Sequence, residues 1–311
     1  MQSGAIAIED VGPFDLQSTL ESGQSYLWDR PDGEMYDRSD AYGGTAEYVT
    51  VVRPDRADGE FATRGFAHPE VLRVCQTSGQ LEWEASFDAE STLRRRLRLD
   101  DRLESIRESA PEDPIVQAAF DRYWGMRLVR DPPFETLISF ICSAQMRVER
   151  IFKMQRALAR EYGDTVRFDG ETYHAYPTPT QLAETTEAQL RDLGLGYRAP
   201  YVQRTAEMVA TGQAHPEEVT GLPYETARES LTQFVGVGEK VADCVLLFSL
   251  GYLEAVPLDT WIRTSIEEYF PDCSRGTYAE TSRAIRNRLG GRYAGYAQTY
   301  VFHHLRNDGE A

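Results

Sequence analysis

Two stretches near the start of the chain have the hydrophobic pattern of β-strands. The segments YVTVVRP (48–54) and GQLEWEASF (79–87) alternate or run through β-branched and aromatic residues, and clusters of glycine, proline and aspartate separate them. Half-buried strands bounded by turn-forming residues have this pattern. The sequence therefore predicts a β-rich domain over residues 1–100.

From residue 101 onwards the apolar residues follow a helical period instead. The segment FETLISFICSAQ (134–145) places Phe134, Leu137, Ile138 and Ile141 on one helical face. The segment MRVERIFKMQRAL continues the helical period with Val148, Ile151 and Phe152. Further helical stretches are predicted at 180–193, 200–212 and 224–234, and then to the C-terminus. We expect an α+β fold in which residues 101–311 form a second, all-helical domain.

The composition is ordinary for a globular protein except in its charge. Hydrophobic residues make up 41% of the 311 residues and charged residues 27%, but the formal net charge is −17. Only two of the 33 basic residues are lysines, Lys153 and Lys240. An acidic chain that favours arginine over lysine suggests a halophilic protein, adapted to high ionic strength.

We expect neither an export signal nor a membrane segment from the sequence. The N-terminus lacks a signal-peptide pattern, and the apolar run around VLLFSLG is far too short to cross a bilayer of ~30 Å. Four widely spaced cysteines form no metal-ligand pattern. We expect a cytoplasmic monomer with no membrane segment, no metal and no cofactor.

The negative charge is unevenly distributed, which matters for a nucleic-acid partner. Residues 1–90 hold 18 acidic residues against 6 arginines, whereas residues 274–306 have a net charge of +5 and residues 145–160 a net charge of +4. Two basic helical segments within an acidic chain are typical of a localised phosphate-binding face. Ordinary solvated helix faces are the alternative, which stays open at this point.

The segment FVGVGEKVADCV (234–245) combines a glycine turn with the start of a helix. Gly236 and Gly238 are expected to adopt backbone angles closed to other residues, and their N–H groups would bind a DNA phosphate together with the helix N-terminus. With the helical ETARESLTQF before it, the segment predicts a helix–hairpin–helix. A simple helix connection is the alternative.

Lys240 falls in the first turn of the second predicted helix. The helix dipole and partial burial both favour a neutral amine there, and a neutral amine is a nucleophile. Arginine would bind phosphate at least as well, so a lysine here, in a chain that otherwise uses arginine, favours amine chemistry. Asp259 precedes another predicted helix and is expected to return towards this amine, where it would stabilise positive charge and manage protons. An ordinary helix N-cap is the alternative for Asp259.

Six segments, spread over residues 14–306, point to one family: SGQSYLW (22–28), FETLISFICSAQ (134–145), LGLGYRAPYV (193–202), VGVGEKVADCV (235–245), AVPLD (255–259) and YAGYAQTYVF (293–302). In this order they resemble helix–hairpin–helix/Gly-Pro-Asp DNA glycosylases, most closely the eukaryotic-type 8-oxoguanine DNA glycosylase/AP lyase. The resemblance implies an antiparallel, TATA-binding-protein-like β domain before the helical domain. It also implies excision of 8-oxoguanine from double-stranded DNA, with Lys240 as the Schiff-base nucleophile and Asp259 as the essential carboxylate.

The resemblance assigns four residues to the pocket for the flipped base. Gly23 would offer its carbonyl to the N7–H that 8-oxoguanine has and guanine lacks. Gln298 would read the Watson–Crick edge, and Phe302 and Cys244 would contact the two faces of the base. Extrusion of the nucleotide into such a pocket costs a few kcal/mol, which stacking and hydrogen bonds offset.

The resemblance also assigns residues to the DNA-binding surface. Tyr197 would wedge into the duplex, while Arg198 and Arg150 would face the opposite cytosine. Two positions depart from the family pattern. Gln145 stands in a segment where the family has asparagines that fill the space left by the flipped base, and Trp261 replaces the usual histidine two residues after the catalytic aspartate.

Two other functions remain possible from the sequence. An alkylated-purine DNA glycosylase of the same superfamily would use an aspartate alone and would not need Lys240. A non-catalytic helix–hairpin–helix module would bind phosphates without nicking DNA, and Asp259 would be unimportant. The iron–sulfur branch of the superfamily is excluded, because its four clustered cysteines are absent from the sequence.

Overall fold

The computed structural model describes residues 1–36, 42–53 and 68–308. Its N-terminal part contains a four-stranded antiparallel sheet with strand order β1-β4-β3-β2. The strands are β1 (Gln2–Ala7), β2 (Glu47–Val52), β3 (Glu70–Thr77) and β4 (Gln80–Ala85). The two strands predicted from the sequence correspond to β2 and β4, and residue 54 of the first one lies outside the described residues.

Helices dominate the remainder of the described chain. They are α1 (Ile8–Val11), α2 (Leu16–Glu21), α3 (Glu90–Arg96), α4 (Leu103–Glu108), α5 (Pro114–Arg122), α6 (Pro133–Cys142), α7 (Val148–Tyr162), α8 (Pro179–Ala183), α9 (Glu187–Asp192), α10 (Ala199–Ala210), α11 (Tyr224–Leu231), α12 (Glu239–Val245), α13 (Thr260–Tyr269), α14 (Tyr278–Arg288) and α15 (Ala294–Asp308). The α+β class, with an antiparallel sheet followed by a helical domain, is confirmed.

The stretch predicted as one helix over 180–193 consists of two, α8 and α9. Thr186 interrupts the helical period because its hydroxyl accepts a hydrogen bond from the Gln189 backbone N–H, while the Gln189 side chain accepts one from the Thr186 N–H. This reciprocal capping box starts a new helix. The Thr-x-x-Gln pattern was readable in the sequence.

The helical domain is not entirely helical, which corrects the prediction. A hairpin of strands β5 (Thr165–Phe168) and β6 (Glu171–His174) follows α7. The two turn residues, Asp169 and Gly170, have φ angles of 50° and 80°, as the favoured two-residue hairpin turn requires. Phe168 packs against Val49 and Val71, so the hairpin lies on the N-terminal sheet.

Buried polar contacts join the N-terminal segment to the helical domain. The Gln24 side chain donates to the Arg127 carbonyl at 2.8 Å. The Asp131 carboxylate accepts from the Ser25 hydroxyl and, at 2.6 Å, from the Arg96 guanidinium. One hydrophobic core also continues across residue 100, so the division at that residue stays a prediction. Among the described helices, none has the length and apolarity needed to span a bilayer.

Candidate active site

The predicted helix–hairpin–helix is formed by α11, a turn and α12. Gly236 has φ 84°, and a Cβ atom there would lie 2.7 Å from the Tyr201 side chain, so glycine is required twice over. Gly238 is the N-cap of α12 with φ −98° and ψ −178°, an extended conformation open to any residue. The expectation of unusual backbone angles therefore applies to Gly236 and is wrong for Gly238.

Lys240 is the second residue of α12, and its amine lies against the end of α6. The Nζ atom donates a hydrogen bond to Ser143 Oγ at 2.8 Å and sits 5.2 Å from the centre of the Phe140 ring. The Ser143 hydroxyl donates in turn to the Phe140 carbonyl at 2.7 Å. The serine oxygen is thereby oriented as an acceptor, and this fixes the direction of the lysine side chain.

Asp259 and Lys240 line the same cavity, of about 130 Å³, although the two residues belong to different helices. Asp259 is the N-cap of α13, where its Oδ1 atom accepts from the Ile262 backbone N–H at 2.7 Å. Asp259 is therefore both an ordinary helix N-cap and a residue of the cavity. Capping also restrains the carboxylate, since it cannot rotate freely without losing that hydrogen bond.

The four residues assigned to the base pocket line this cavity as well. Gly23 has φ 88°, while Cys244 and Phe302 are almost completely buried. Burial raises the pKa of the Cys244 thiol to about 12, against the opposing effect of the Lys240 charge, so the thiol is neutral at physiological pH. Gln298 is 5% exposed, and its Oε1 atom has no hydrogen-bond partner among the described residues. An unpaired buried oxygen of this kind suits a ligand that donates to it.

The cavity has further lining residues to which the sequence analysis assigned no role. Besides Ser143, they include Tyr26, Met146 and Arg306. Near the C-terminal end of α15, the Arg306 guanidinium lies 5.4 Å from the centre of the Trp261 ring. The Trp261 and Phe302 rings meet edge to face, with their centres 5.5 Å apart. Arg306 belongs to the basic segment 274–306, but the charge pattern does not indicate which of its arginines faces the cavity.

The residues expected on the DNA-binding surface lie outside the cavity. Tyr197 is 51% exposed, and Gln145 and Arg150 are also exposed, with Gln145 in a turn at φ 53°. Arg198 is 5% exposed, in contrast to the expectation that it faces the opposite base. Its guanidinium donates to the Ala144 carbonyl and stacks 4.3 Å from the centre of the Tyr197 ring. Arg198 thus connects the turn carrying Gln145 to the exposed tyrosine.

Two family models match the sequence. The model for the 8-oxoguanine DNA glycosylase N-terminal domain matches residues 6–137, and the model for HhH-GPD superfamily base excision DNA repair proteins matches residues 138–290. A probable N-glycosylase/DNA lyase of Methanothermobacter thermautotrophicus is 34% identical in an alignment of length 218 that covers 64% of this chain and 69% of the relative. An N-glycosylase/DNA lyase of Saccharomyces cerevisiae is 29% identical, covering 92% of this chain and 82% of the relative.

A solved structure has the same fold over nearly the whole chain. It is the Clostridium acetobutylicum 8-oxoguanine glycosylase/lyase in complex with double-stranded DNA containing cytosine opposite to 8-oxoguanine. It is 25% identical, with a TM-score of 0.78, and the match covers 95% of this chain and 93% of that one. This chain belongs to the HhH-GPD superfamily of base excision DNA repair proteins, as its motifs predicted. Within the superfamily, residues 6–137 match the N-terminal domain of 8-oxoguanine DNA glycosylases.

The two hairpin glycines should respond differently to alanine. Gly236→Ala is expected to destabilise the protein by roughly 2 to 4 kcal/mol, because alanine would be strained at a φ of 84° and its methyl group would overlap Tyr201. Gly238→Ala should cost about 1 kcal/mol or less, since its extended backbone suits any residue. Thermal unfolding measures both effects, and equal destabilisation would contradict the distinction.

Proposed function

We propose that this protein is a DNA glycosylase that removes 8-oxoguanine from duplex DNA and cleaves the resulting abasic site by β-elimination through Lys240. The observation that carries the proposal is the shared cavity of Lys240 and Asp259, bordered by the N-terminal segment and by α15. The names of the relatives and the DNA complex of the Clostridium enzyme agree with this activity. Double-stranded DNA containing oxidised guanine is the corresponding partner.

The chemistry follows from an amine and a carboxylate beside one sugar. The Lys240 amine, once it has lost its proton, forms a bond to C1′ while the bond between C1′ and the base breaks. The base leaves with the electron pair and takes up a proton. Asp259 stabilises the positive charge that develops on the sugar. The C1′–O4′ bond then breaks as the C1′=N bond forms, and O4′ takes up the proton that the nitrogen loses, which gives an imine. Removal of a C2′ proton by a base forms a C2′=C3′ double bond, while the C3′–O bond breaks and the 3′ phosphate leaves with the electron pair.

Recognition of the base rests on the pocket residues. The Gly23 carbonyl accepts from the N7–H of 8-oxoguanine, whereas guanine would present a lone pair to the same oxygen. A buried carbonyl left facing a lone pair is costly, so a single proton discriminates the two bases. The unpaired Gln298 Oε1 accepts from the Watson–Crick edge, and the neutral Cys244 thiol and the Phe302 ring contact the two faces.

The DNA approaches over the surface formed by the glycine hairpin, Tyr197 and the turn at Gln145. The basic segment 145–160, which includes the exposed Arg150, supplies positive charge at this surface in an otherwise acidic protein. Phosphate contacts of this kind contribute most of the sequence-independent affinity of a DNA-binding protein. The monomeric state and the cytoplasmic location inferred from the sequence stay predictions, as does its halophilic character.

The alternative of an alkylated-purine glycosylase has less support. That activity needs no amine, whereas Lys240 is held in the cavity by Ser143 and lies over the Phe140 ring. A non-catalytic module would likewise give no reason for an aspartate to line the cavity with the lysine. The joint presence of Lys240 and Asp259 therefore favours the bifunctional enzyme.

Lys240→Arg is expected to abolish borohydride trapping of a covalent complex with 8-oxoguanine DNA, because the guanidinium forms no imine. Binding to the same DNA should persist, since the positive charge remains. Lys153→Arg is the matched control: Lys153 is the other lysine of the chain and is exposed on α7. It should trap like the wild type, and full trapping by Lys240→Arg would falsify the nucleophile assignment.

Asp259→Asn separates capping from catalysis. The asparagine oxygen still accepts from the Ile262 N–H, so the free energy of unfolding should change by less than about 0.5 kcal/mol. The rate of base release should fall by roughly 100- to 10,000-fold, because the carboxylate charge is lost. Single-turnover kinetics and thermal unfolding measure the two effects. An active Asp259→Asn protein would leave only the capping role for this residue.

A base-release panel tests the substrate. The wild type should release 8-oxoguanine faster than alkylated purines or uracil, and Gly23→Ala should lower 8-oxoguanine release selectively. Alanine is strained at the Gly23 φ of 88°, and its Cβ would contact Arg306 Nη1 at 3.4 Å and Val148 Cγ2 at 3.5 Å, so we expect the backbone to shift and move the carbonyl. Gly33→Ala is the control, because it has a similar positive φ of 82° but open space around it. Preferred release of alkylated purines by the wild type would instead support the alternative substrate.

A further inference from the structure

A carboxylate is buried behind the active site, on the same helix as Lys240. Asp243 lies three residues after Lys240 in α12 and is completely shielded from solvent. Its Oδ1 atom accepts from the Tyr224 hydroxyl at 2.7 Å, and its Oδ2 atom accepts from the Tyr278 hydroxyl, also at 2.7 Å. Asp243 is not among the residues that line the cavity.

Tyr278 connects this carboxylate to the loop that carries Asp259. The Tyr278 hydroxyl donates to Asp243 and accepts from the Leu258 backbone N–H at 3.0 Å. Leu258 immediately precedes Asp259. A continuous chain of hydrogen bonds therefore runs from the helix of the nucleophile to the backbone beside the catalytic carboxylate.

Tyr224 has a different second contact, although it binds the same carboxylate. Its hydroxyl lies 3.4 Å from Ser282 Oγ and accepts from Arg228 at 3.3 Å, and among the described residues its hydrogen bonds do not include Leu258. Rings of both tyrosines lie close to the Arg228 guanidinium, at 5.3 Å for Tyr224 and 5.7 Å for Tyr278. The two tyrosines share the bond to Asp243 and the proximity to Arg228, but Tyr278 bonds to the Leu258 amide, whereas the Tyr224 ring lies 4.5 Å from the Arg286 guanidinium.

A buried carboxylate is an unfavourable choice if stability is its only purpose. Burial raises the pKa of Asp243 to about 7, even though both tyrosine hydroxyls and the nearby Arg228 act in the opposite direction. Its closest cation, Arg228, lies 3.9 Å away. Apolar residues of similar volume often stabilise a core at least as well as a buried ion pair. Apolar residues could not replace the directional hydrogen bonds that the Asp243 carboxylate accepts.

We propose that Asp243 and Tyr278 are positioning residues that set the location of the Asp259 carboxylate relative to the Lys240 amine. The inference rests on the proposed function, because it concerns the geometry of that reaction. Neither residue touches the substrate. Asp243 holds the Tyr278 hydroxyl, Tyr278 holds the Leu258 amide, and the amide fixes the loop from which Asp259 begins α13. Displacement of a reacting group by about 1 Å lowers a rate by up to 100-fold.

Tyr278→Phe and Tyr224→Phe form a matched pair that tests the proposal. Each removes one 2.7 Å hydrogen bond to Asp243 and keeps the aromatic ring beside Arg228. Similar decreases in thermal unfolding temperature are expected. Only Tyr278→Phe should lower the single-turnover rate of base release, by about 10- to 100-fold, with unchanged affinity for DNA. Its yield of borohydride-trapped complex at a fixed short time should fall in parallel.

Hydrogen exchange supplies a readout that does not depend on activity. The Leu258 amide should lose protection in Tyr278→Phe and keep it in Tyr224→Phe. Equal rates of base release in both variants and the wild type, or an equal loss in both variants, would overturn the inference while leaving the proposed function intact. A wild-type protein that releases no 8-oxoguanine would overturn the proposed function, and this inference with it.

Discussion

The hydrogen bond between Lys240 and Ser143 determines where the lysine amine lies. Ser143 can accept it reliably because its own proton is committed to the Phe140 carbonyl. Helix α12 must therefore pack against the end of α6, and the turn before α12 must approach Tyr201 so closely that only glycine fits at residue 236. The lysine side chain has four rotatable bonds, so its amine could occupy many positions, whereas the proposed reaction requires a single one. The packing of these two helices supplies that position.

The rest of the cavity depends on residues that are distant in sequence. Gly23 comes from the N-terminal segment, Asp259 from the start of α13, and Gln298 and Phe302 from α15. The Gly23 segment is held by the side chain of the next residue, Gln24, which donates to the helical domain. The N-terminal domain is therefore part of the pocket wall and contributes directly to the shape of the site.

The net charge of the whole chain and the charge of a few of its helical segments have opposite signs. The whole chain is acidic, with a net charge of −17, whereas positive charge is concentrated in a few helical segments. Two arginines also stack on aromatic rings: Arg306, which lines the cavity, on Trp261, and Arg198 on Tyr197. Salt screens exposed ion pairs strongly and weakens the electrostatic part of a cation–π contact as well, whereas the packing of the planar guanidinium on the ring remains.

Patterns in the local sequence indicate much of the proposed chemistry. The lysine after a glycine turn, the aspartate before a helix and the order of the six segments depend on residues near one another in the chain, so pattern and propensity suffice to detect them. Only the tertiary structure decided that Arg198 is buried against the turn at Ala144, and that Tyr278 joins Asp243 to Leu258. Those partners are separated by 20 to 54 positions, and the sequence contains no periodic signal that relates them. Their contacts arise from the packing of whole helices, which minimises exposed apolar surface over the entire core.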